Sequence, residues 1–228
     1  VAPTTVQFWE IKNIGGDGTS QDVFATSHAF GYPMKNLSEA DLEQHLTGDP
    51  HFERQFSDDP ARPDFGLGPV QNNTSCIGCH NRDGRGSLPV GLNATEWKKL
   101  GVNEAIFLRI SIENDEILNS VKDAKNNYGE PTAVPGFSHQ LFHTGTRSLR
   151  PDFPGDGLAE VYVKLEKSSF TYPDGRTVEL SKPIFEVRNP YDQWLDQVTG
   201  EKKSRLFEKD VRFSPRIGPP MIGLGLLE

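Results

Sequence analysis

The sequence predicts a loop-rich α+β fold, with short helices first and an antiparallel β-hairpin region after them. Three observations carry that expectation. Gly (22) and Pro (17) are abundant among the 228 residues, while apolar residues make up 35%. At roughly 17% Gly plus Pro against an expected ~12%, much of the chain must be turn and loop. The helical signals before residue 60 are short and bounded by caps and breakers, and residues 159–188 alternate apolar and polar side chains about a central turn.

The elements follow in order. Residues 1–35 read as irregular, with Gly15-Gly16-Asp17-Gly18-Thr19 as a flexible turn. Ser38-Glu39-Ala40-Asp41 opens a helix, capped by Ser38 with Asp41 at its third position, and Gly48 is its predicted stop. A second short helix is expected over 51–56, and Pro60-Ala61-Arg62-Pro63 is a loop. In 106–112, Phe107, Arg109 and Ser111 alternate with Leu108, Ile110 and Ile112, the period of a strand. A Pro/Gly-rich link covers 128–136. Val161, Val163 and Leu165 then alternate with polar residues, Pro173-Asp174-Gly175 turns the chain, and Val178, Leu180, Ile184 and Val187 mark the return. Residues 191–206 read as helix or loop, and 214–228 as Pro-rich irregular chain ending in a helix.

Charge narrows the function. Lys and Arg number 24 against 32 Asp and Glu, a net charge of −8. Broad nucleic-acid binding, which needs basic surface to neutralise phosphates, is excluded. No run approaches the ~20 apolar residues of a membrane helix, so no membrane span is expected. The first residues, Val1-Ala2-Pro3-Thr4-Thr5, carry neither Met nor a signal-peptide pattern and read as a processed N-terminus. The apolar stretch Ile222-Gly223-Leu224-Gly225-Leu226-Leu227 before Glu228 carries no polar tail, which predicts that the natural protein continues.

The two cysteines are the most specific signal. Both sit in Cys76-Ile77-Gly78-Cys79-His80, the C-x-x-C-H pattern of covalent haem attachment. Two cysteines and a histidine fall into this arrangement by chance in about 1 case in 4,000. On a helical turn, residues three apart share a face, so both thiols reach one porphyrin edge and add to its vinyl groups. The adjacent imidazole then supplies a nitrogen to the iron. A redox-active C-x-x-C expects a buried strand before it, but Gly66-Leu67-Gly68-Pro69 stands there instead. Zinc would need two further ligands near by, and no second Cys pair exists. The motif therefore predicts one covalent haem c within a cytochrome c-like haem domain of short helices over 1–150. Residues 151–228 are expected to form a β-hairpin and Pro-rich segment packing on it as one structural unit. Haem, as a large and mostly apolar group, would serve as part of the core in a chain short of apolar residues.

The wider context resembles a known family. Gly66-Leu67-Gly68-Pro69-Val70, Asn73-Thr74-Ser75 before Cys76, and Asp83-Gly84-Arg85-Gly86 after His80 are similar to the first haem region of the di-haem oxidoreductases, also called thiol oxidoreductases. Ala29-Phe30 with Asn36-Leu37-Ser38, then Gln140-Leu141 with Pro183, and finally Ser214-Pro215-Arg216-Ile217-Gly218-Pro219-Pro220-Met221 through Glu228 resemble further segments of that family in the same order. The resemblance implies kinship with bacterial di-haem cytochrome c peroxidases, restricted to their N-terminal, first-haem half, because the family's second C-x-x-C-H is missing here. It implies a c-type cytochrome domain in electron transfer or peroxidase-like redox chemistry. A pure electron carrier and a non-catalytic haem subunit of a larger complex are the alternatives. It further implies a periplasmic or exported location after signal-peptide removal, and a second haem domain or subunit. The acidic balance favours a basic redox partner.

The position opposite His80 decides between carrier and peroxidase, because a strong second axial ligand closes the iron and an open one admits peroxide. Candidates are His28, Met34, His45, His51, His139, His143 and Met221. His139 and His143 lead, since four residues apart they would share a helical face, and they are also candidates for a peroxidase's acid–base group. His80 needs an acceptor for its other ring N–H, and a carbonyl in the Leu88-Pro89 loop resembles the one used by small cytochromes c. Arg82, Arg85 and Arg216 are candidates to pair with haem propionates, to which a planar guanidinium is suited.

Overall fold

The computed structural model describes residues 26–113, 131–146 and 157–221. Helix α1 (Glu39–Glu53) is followed by strand β1 (Val70–Gln71), the one-turn helix α2 (Cys76–Cys79), β2 (Lys98–Lys99) and β3 (Ile106–Ile112). Then come β4 (Gln140–Leu141), β5 (Thr144–Gly145), β6 (Glu160–Thr171), β7 (Thr177–Arg188), β8 (Trp194–Leu195), β9 (Lys202–Lys203) and β10 (Val211–Ile217). The strands form two three-stranded antiparallel sheets, in the orders β10-β3-β4 and β2-β6-β7, and two small pairs, β1-β5 and β8-β9.

This overturns the expected helical, cytochrome c-like domain: the described chain is mostly antiparallel sheet, with α1 and α2 its only α-helices. The reason is physical. C-x-x-C-H specifies a local turn, and local chemistry does not fix the fold around it. Six of the strands are two residues long, too short for a period-2 pattern to show.

Where the pattern is long enough, it holds. Ile106, Leu108, Ile110 and Ile112 are all at most 2% exposed, while Phe107, Arg109 and Ser111 face outward. The long hairpin of β6 and β7 turns at Pro173-Asp174-Gly175, with Gly175 at φ +85°, a conformation glycine adopts without strain. Other expectations hold in part or fail. Ser38 caps α1 through the Asp41 N–H (3.2 Å), as predicted. The helix nevertheless runs past Gly48 and through Pro50 to Glu53, absorbing the segment expected to be a second helix. Pro50 has no N–H to donate, so the last turn of the helix forgoes one backbone hydrogen bond. Residues 191–206 hold the β8–β9 pair, whose turn is tied by Asp196 accepting from the N–H groups of Val198 (2.8 Å) and Thr199 (3.0 Å). Pro215 lies inside β10, which tolerates it as an edge strand. The helix expected near the C-terminus falls outside the described residues.

The core lies between the sheets. Leu108, Val134, Leu141, Val161 and Val163 are fully buried, with Phe137, Leu100 and Leu206 at 1%. No residue of α1 or α2 is buried, so the apolar shortage falls on the helical part. Strands on both sides of residue 150 share the sheets: β3 pairs with β10, and β2 with β6.

One buried carboxylate anchors the β2–β6 contact. Glu160 accepts from Lys99 Nζ (2.6 Å), Asn189 Nδ2 (2.7 Å) and the Tyr162 hydroxyl (3.3 Å). Burial alone would raise its pKa, but these donors outweigh it and hold the carboxyl below its ordinary value. The unfolded chain therefore takes up this proton at higher pH than the folded one. The resulting stability is present at neutral pH and is lost as pH falls below the ordinary glutamate pKa, ~4.3, through the lower folded value. Glu160→Gln is expected to cost about 1–3 kcal/mol at pH 7 and to shrink the stability difference between about pH 6 and pH 3, read by urea unfolding at both.

Candidate haem site

Ser75 starts α2 by accepting the Gly78 N–H on its hydroxyl (3.1 Å), and the His80 N–H closes the turn on the Cys76 carbonyl (3.1 Å). One turn of helix thus carries both thiols at a spacing that shares a face. Both are free, Cys76 exposed and Cys79 half-buried. Burial pushes the Cys79 thiol pKa up, against the lowering influence of the neighbouring Asn73 amide, so the thiol is protonated at neutral pH. Asn73 braces the turn from below. Its Oδ1 accepts the Thr74 N–H (2.8 Å), and a Cβ on Gly78 would sit 2.1 Å from it. Beside Cys76 is a cleft of about 300 Å³ lined by Phe56, Gly66, Leu67 and Gly68.

The imidazole of His80 is oriented by a residue 139 positions away. Its Nδ1 meets the Pro219 carbonyl at 2.7 Å. A carbonyl only accepts, so Nδ1 carries a proton, and in the neutral ring the lone pair lies on Nε2. This carbonyl stands where one from Leu88 or Pro89 was expected, and Pro89 is instead simply buried. Two glycine segments press on the back of the turn. A Cβ on Gly218 would lie 2.4 Å from the Cys79 carbonyl oxygen and 3.2 Å from His80 Cε1. A Cβ on Gly86 would lie 2.7 Å from both the Cys79 oxygen and Ala105 Cβ. The Gly86 N–H donates to the Gly218 carbonyl (2.9 Å) and the Met221 N–H to that of Asp83 (2.6 Å). From α1, the Phe52 ring approaches His80 at 6.1 Å between centroids. Arg82 (φ +53°) and Asp83 (φ +59°) follow in the left-handed region, which costs non-glycine residues energy. The Arg82 guanidinium is bonded to the Ser27 hydroxyl. Burial raises the Asp83 pKa, with the Asp49 charge adding to it.

The other sequence candidates are scattered. Arg85 is exposed between buried Gly84 and Gly86. Arg216 lies on β10 opposite Phe107 and lines a cleft with Arg109 and Arg212. His139 closes the turn before β4 and His143 lies between β4 and β5, so the helical face they were expected to share does not exist. His139 Nδ1 is buried without a partner. His143 is 2% exposed, with Nε2 bonded to the Gly101 carbonyl (3.1 Å), and burial lowers its pKa and keeps it neutral. Met221 is fixed to Asp83 by its backbone, Met34 and His28 are exposed, and His45 and His51 lie on α1. Pro219 was missed by sequence reasoning. The available signal was Gly218-Pro219-Pro220, a glycine allowing close approach just before a proline without an N–H of its own.

Two thiols on one face, with an imidazole fixed so that one nitrogen is available, form a donor set that fits a haem. Among the described residues, no group of three or more His, Cys, Asp and Glu is placed to hold a metal ion by side chains alone. A family model described as "Di-haem oxidoreductase, putative peroxidase" matches residues 8–228. No curated protein and no solved structure matches the chain. The match reaches from before the described helices to the end of the sequence, taking in the Cys76–His80 turn and the strand that leads to Pro219. Haem is therefore the implied cofactor and redox chemistry the implied function, and the chain belongs to the di-haem oxidoreductase family.

Proposed function

We propose that this chain is a c-type haem unit serving electron transfer or peroxidase-like chemistry, with one haem held by Cys76 and Cys79 and its iron facing His80. The observation that carries the reading is the 2.7 Å contact between His80 Nδ1 and the Pro219 carbonyl. It fixes the tautomer and ring direction and makes the free nitrogen a better donor, which is what an iron-bound imidazole needs. Attachment is balanced without an oxidant: each S–H adds across one vinyl C=C, the sulfur bonding to one carbon and the proton going to the other. The bound group would supply one-electron redox chemistry. The chain's own residues would hold it at one edge through Cys76 and Cys79 and present His80 to it, with Gly86 and Gly218 packed against the back of the turn.

Arg85, exposed and beside the motif, is the guanidinium best placed by sequence for a propionate. A periplasmic or exported location and a basic redox partner, steered by the net charge of −8, complete the reading. The decisive experiment replaces both Cys76 and Cys79 by Ala. The parent should show a covalent haem mass and a pyridine-haemochrome band that survive denaturation, and the double variant should lose both. A haem mass retained after denaturation in the variant would refute the attachment.

A further inference from the structure

We propose that the outer face of the β3–β10 pair binds a small organic anion, a carboxylate or phosphate carried on an apolar group. The register places Arg212 opposite Ser111, Ser214 opposite Arg109, and Arg216 opposite Phe107. These six side chains share one face over alternate rungs, with Arg109 diagonal to both other arginines. Diagonal neighbours on an antiparallel pair are about 7–8 Å apart, close enough for like charges to repel and for long side chains to converge on one ligand. The face is concave. The six residues line a cleft of about 450 Å³, within the size range of small-molecule sites.

The charge there is under-compensated. Arg212 is paired with Glu113 (3.0 Å) and donates to the Lys209 carbonyl (2.6 Å). Arg109 and Arg216 have no side-chain partner among the described residues. In a chain of net charge −8, three guanidiniums gathered on one sheet face are a local reversal of sign that the fold does not require, since all three lie outside the core. Guanidiniums bind planar oxyanions in pairs of parallel N–H bonds, and the hydroxyls of Ser111 and Ser214 add donors between them. The Phe107 ring, half-buried at one end of the cleft, offers an apolar wall. The combination favours a compact anion with a flat or apolar part over inorganic phosphate alone. The concavity favours a small ligand over an acidic protein surface.

The test is isothermal titration calorimetry on the purified, haem-loaded protein with phthalate, inorganic phosphate and hexaglutamate as separate probes. Phthalate is expected to bind with a dissociation constant of about 1 mM or tighter, and more tightly than phosphate. Arg109→Gln and Arg216→Gln should each weaken it roughly tenfold or more, with unchanged melting temperature. Arg176→Gln, in the distant β6–β7 turn, should leave binding intact. The proposal is overturned by no phthalate binding up to about 20 mM, by binding that ignores both cleft variants, or by binding of hexaglutamate alone, which would assign the face to an acidic protein.

Discussion

Leu108→Ala is expected to destabilise the chain by about 3–5 kcal/mol, the cost of deleting a fully buried leucine and leaving its cavity. Leu108 is 0% exposed at the middle of β3, the central strand of its sheet, paired with Pro215 of β10 on one side and Leu141 of β4 on the other. Its neighbours Ile106, Ile110, Val161 and Val163 belong to the same cluster, and they are held by strands that cannot close on a missing isobutyl group without breaking register. Leu46→Ala on α1, where the side chain is 61% exposed, is the contrast: loss of an exposed leucine should change stability by less than about 0.5 kcal/mol. Urea unfolding of both variants reads the difference. Equal effects would place the stabilising core in the helical part instead of the sheets. Because β3 also holds β10 in place, the haem absorption of the Leu108 variant should broaden well below its own unfolding midpoint.

What the sequence made legible follows from how far each signal reaches along the chain. The cysteine motif is five residues long and chemically dictated, so it was readable, and α2 carries it as a single capped turn. The alternation of 106–112 was readable because seven residues display a period of two, and the hairpin because Val161, Val163 and Leu165 alternate before the Pro173-Asp174-Gly175 turn, although the outer part of both its strands is exposed on both faces. Ser38 announced the start of α1, but Gly48 did not end it, because a glycine that meets no steric demand for φ > 0 is only a weak stop. The two-residue strands around His143 and Lys99 left no pattern. Nor could β10 be recognised as a strand, since Pro215 argues against one until its edge position is known. That omission hid both the partner of His80 and the arginine face, for each depends on which residues β10 places beside residues more than 90 positions earlier.

Gly218→Ala is the sharpest single-atom test of that long-range contact. The added Cβ would fall 2.4 Å from the Cys79 carbonyl oxygen and 3.1 Å from its carbon, backbone atoms that cannot swing aside as a flexible side chain would. Relief requires β10 to withdraw from the turn. That lengthens the Gly86–Gly218 bond (2.9 Å) and the His80–Pro219 bond (2.7 Å) together. Two weakened hydrogen bonds plus the contact itself set the cost at about 2–4 kcal/mol. The same magnitude of clash at Gly86, 2.7 Å from the Cys79 oxygen, predicts that Gly86→Ala behaves alike. Gly48→Ala meets nothing within 4 Å and lies in a helix, so it should stabilise by about 0.5–1 kcal/mol instead. Chemical unfolding separates these signs. A haem readout separates mechanism from mere strain: on the proposed role of His80 as iron ligand, withdrawing the Pro219 carbonyl removes the acceptor that makes its other nitrogen basic, and the midpoint potential should rise as the imidazole becomes a weaker donor to ferric iron. A Gly218→Ala protein that is destabilised but keeps the parent's potential would show that Pro219 merely packs against the turn and does not orient the imidazole.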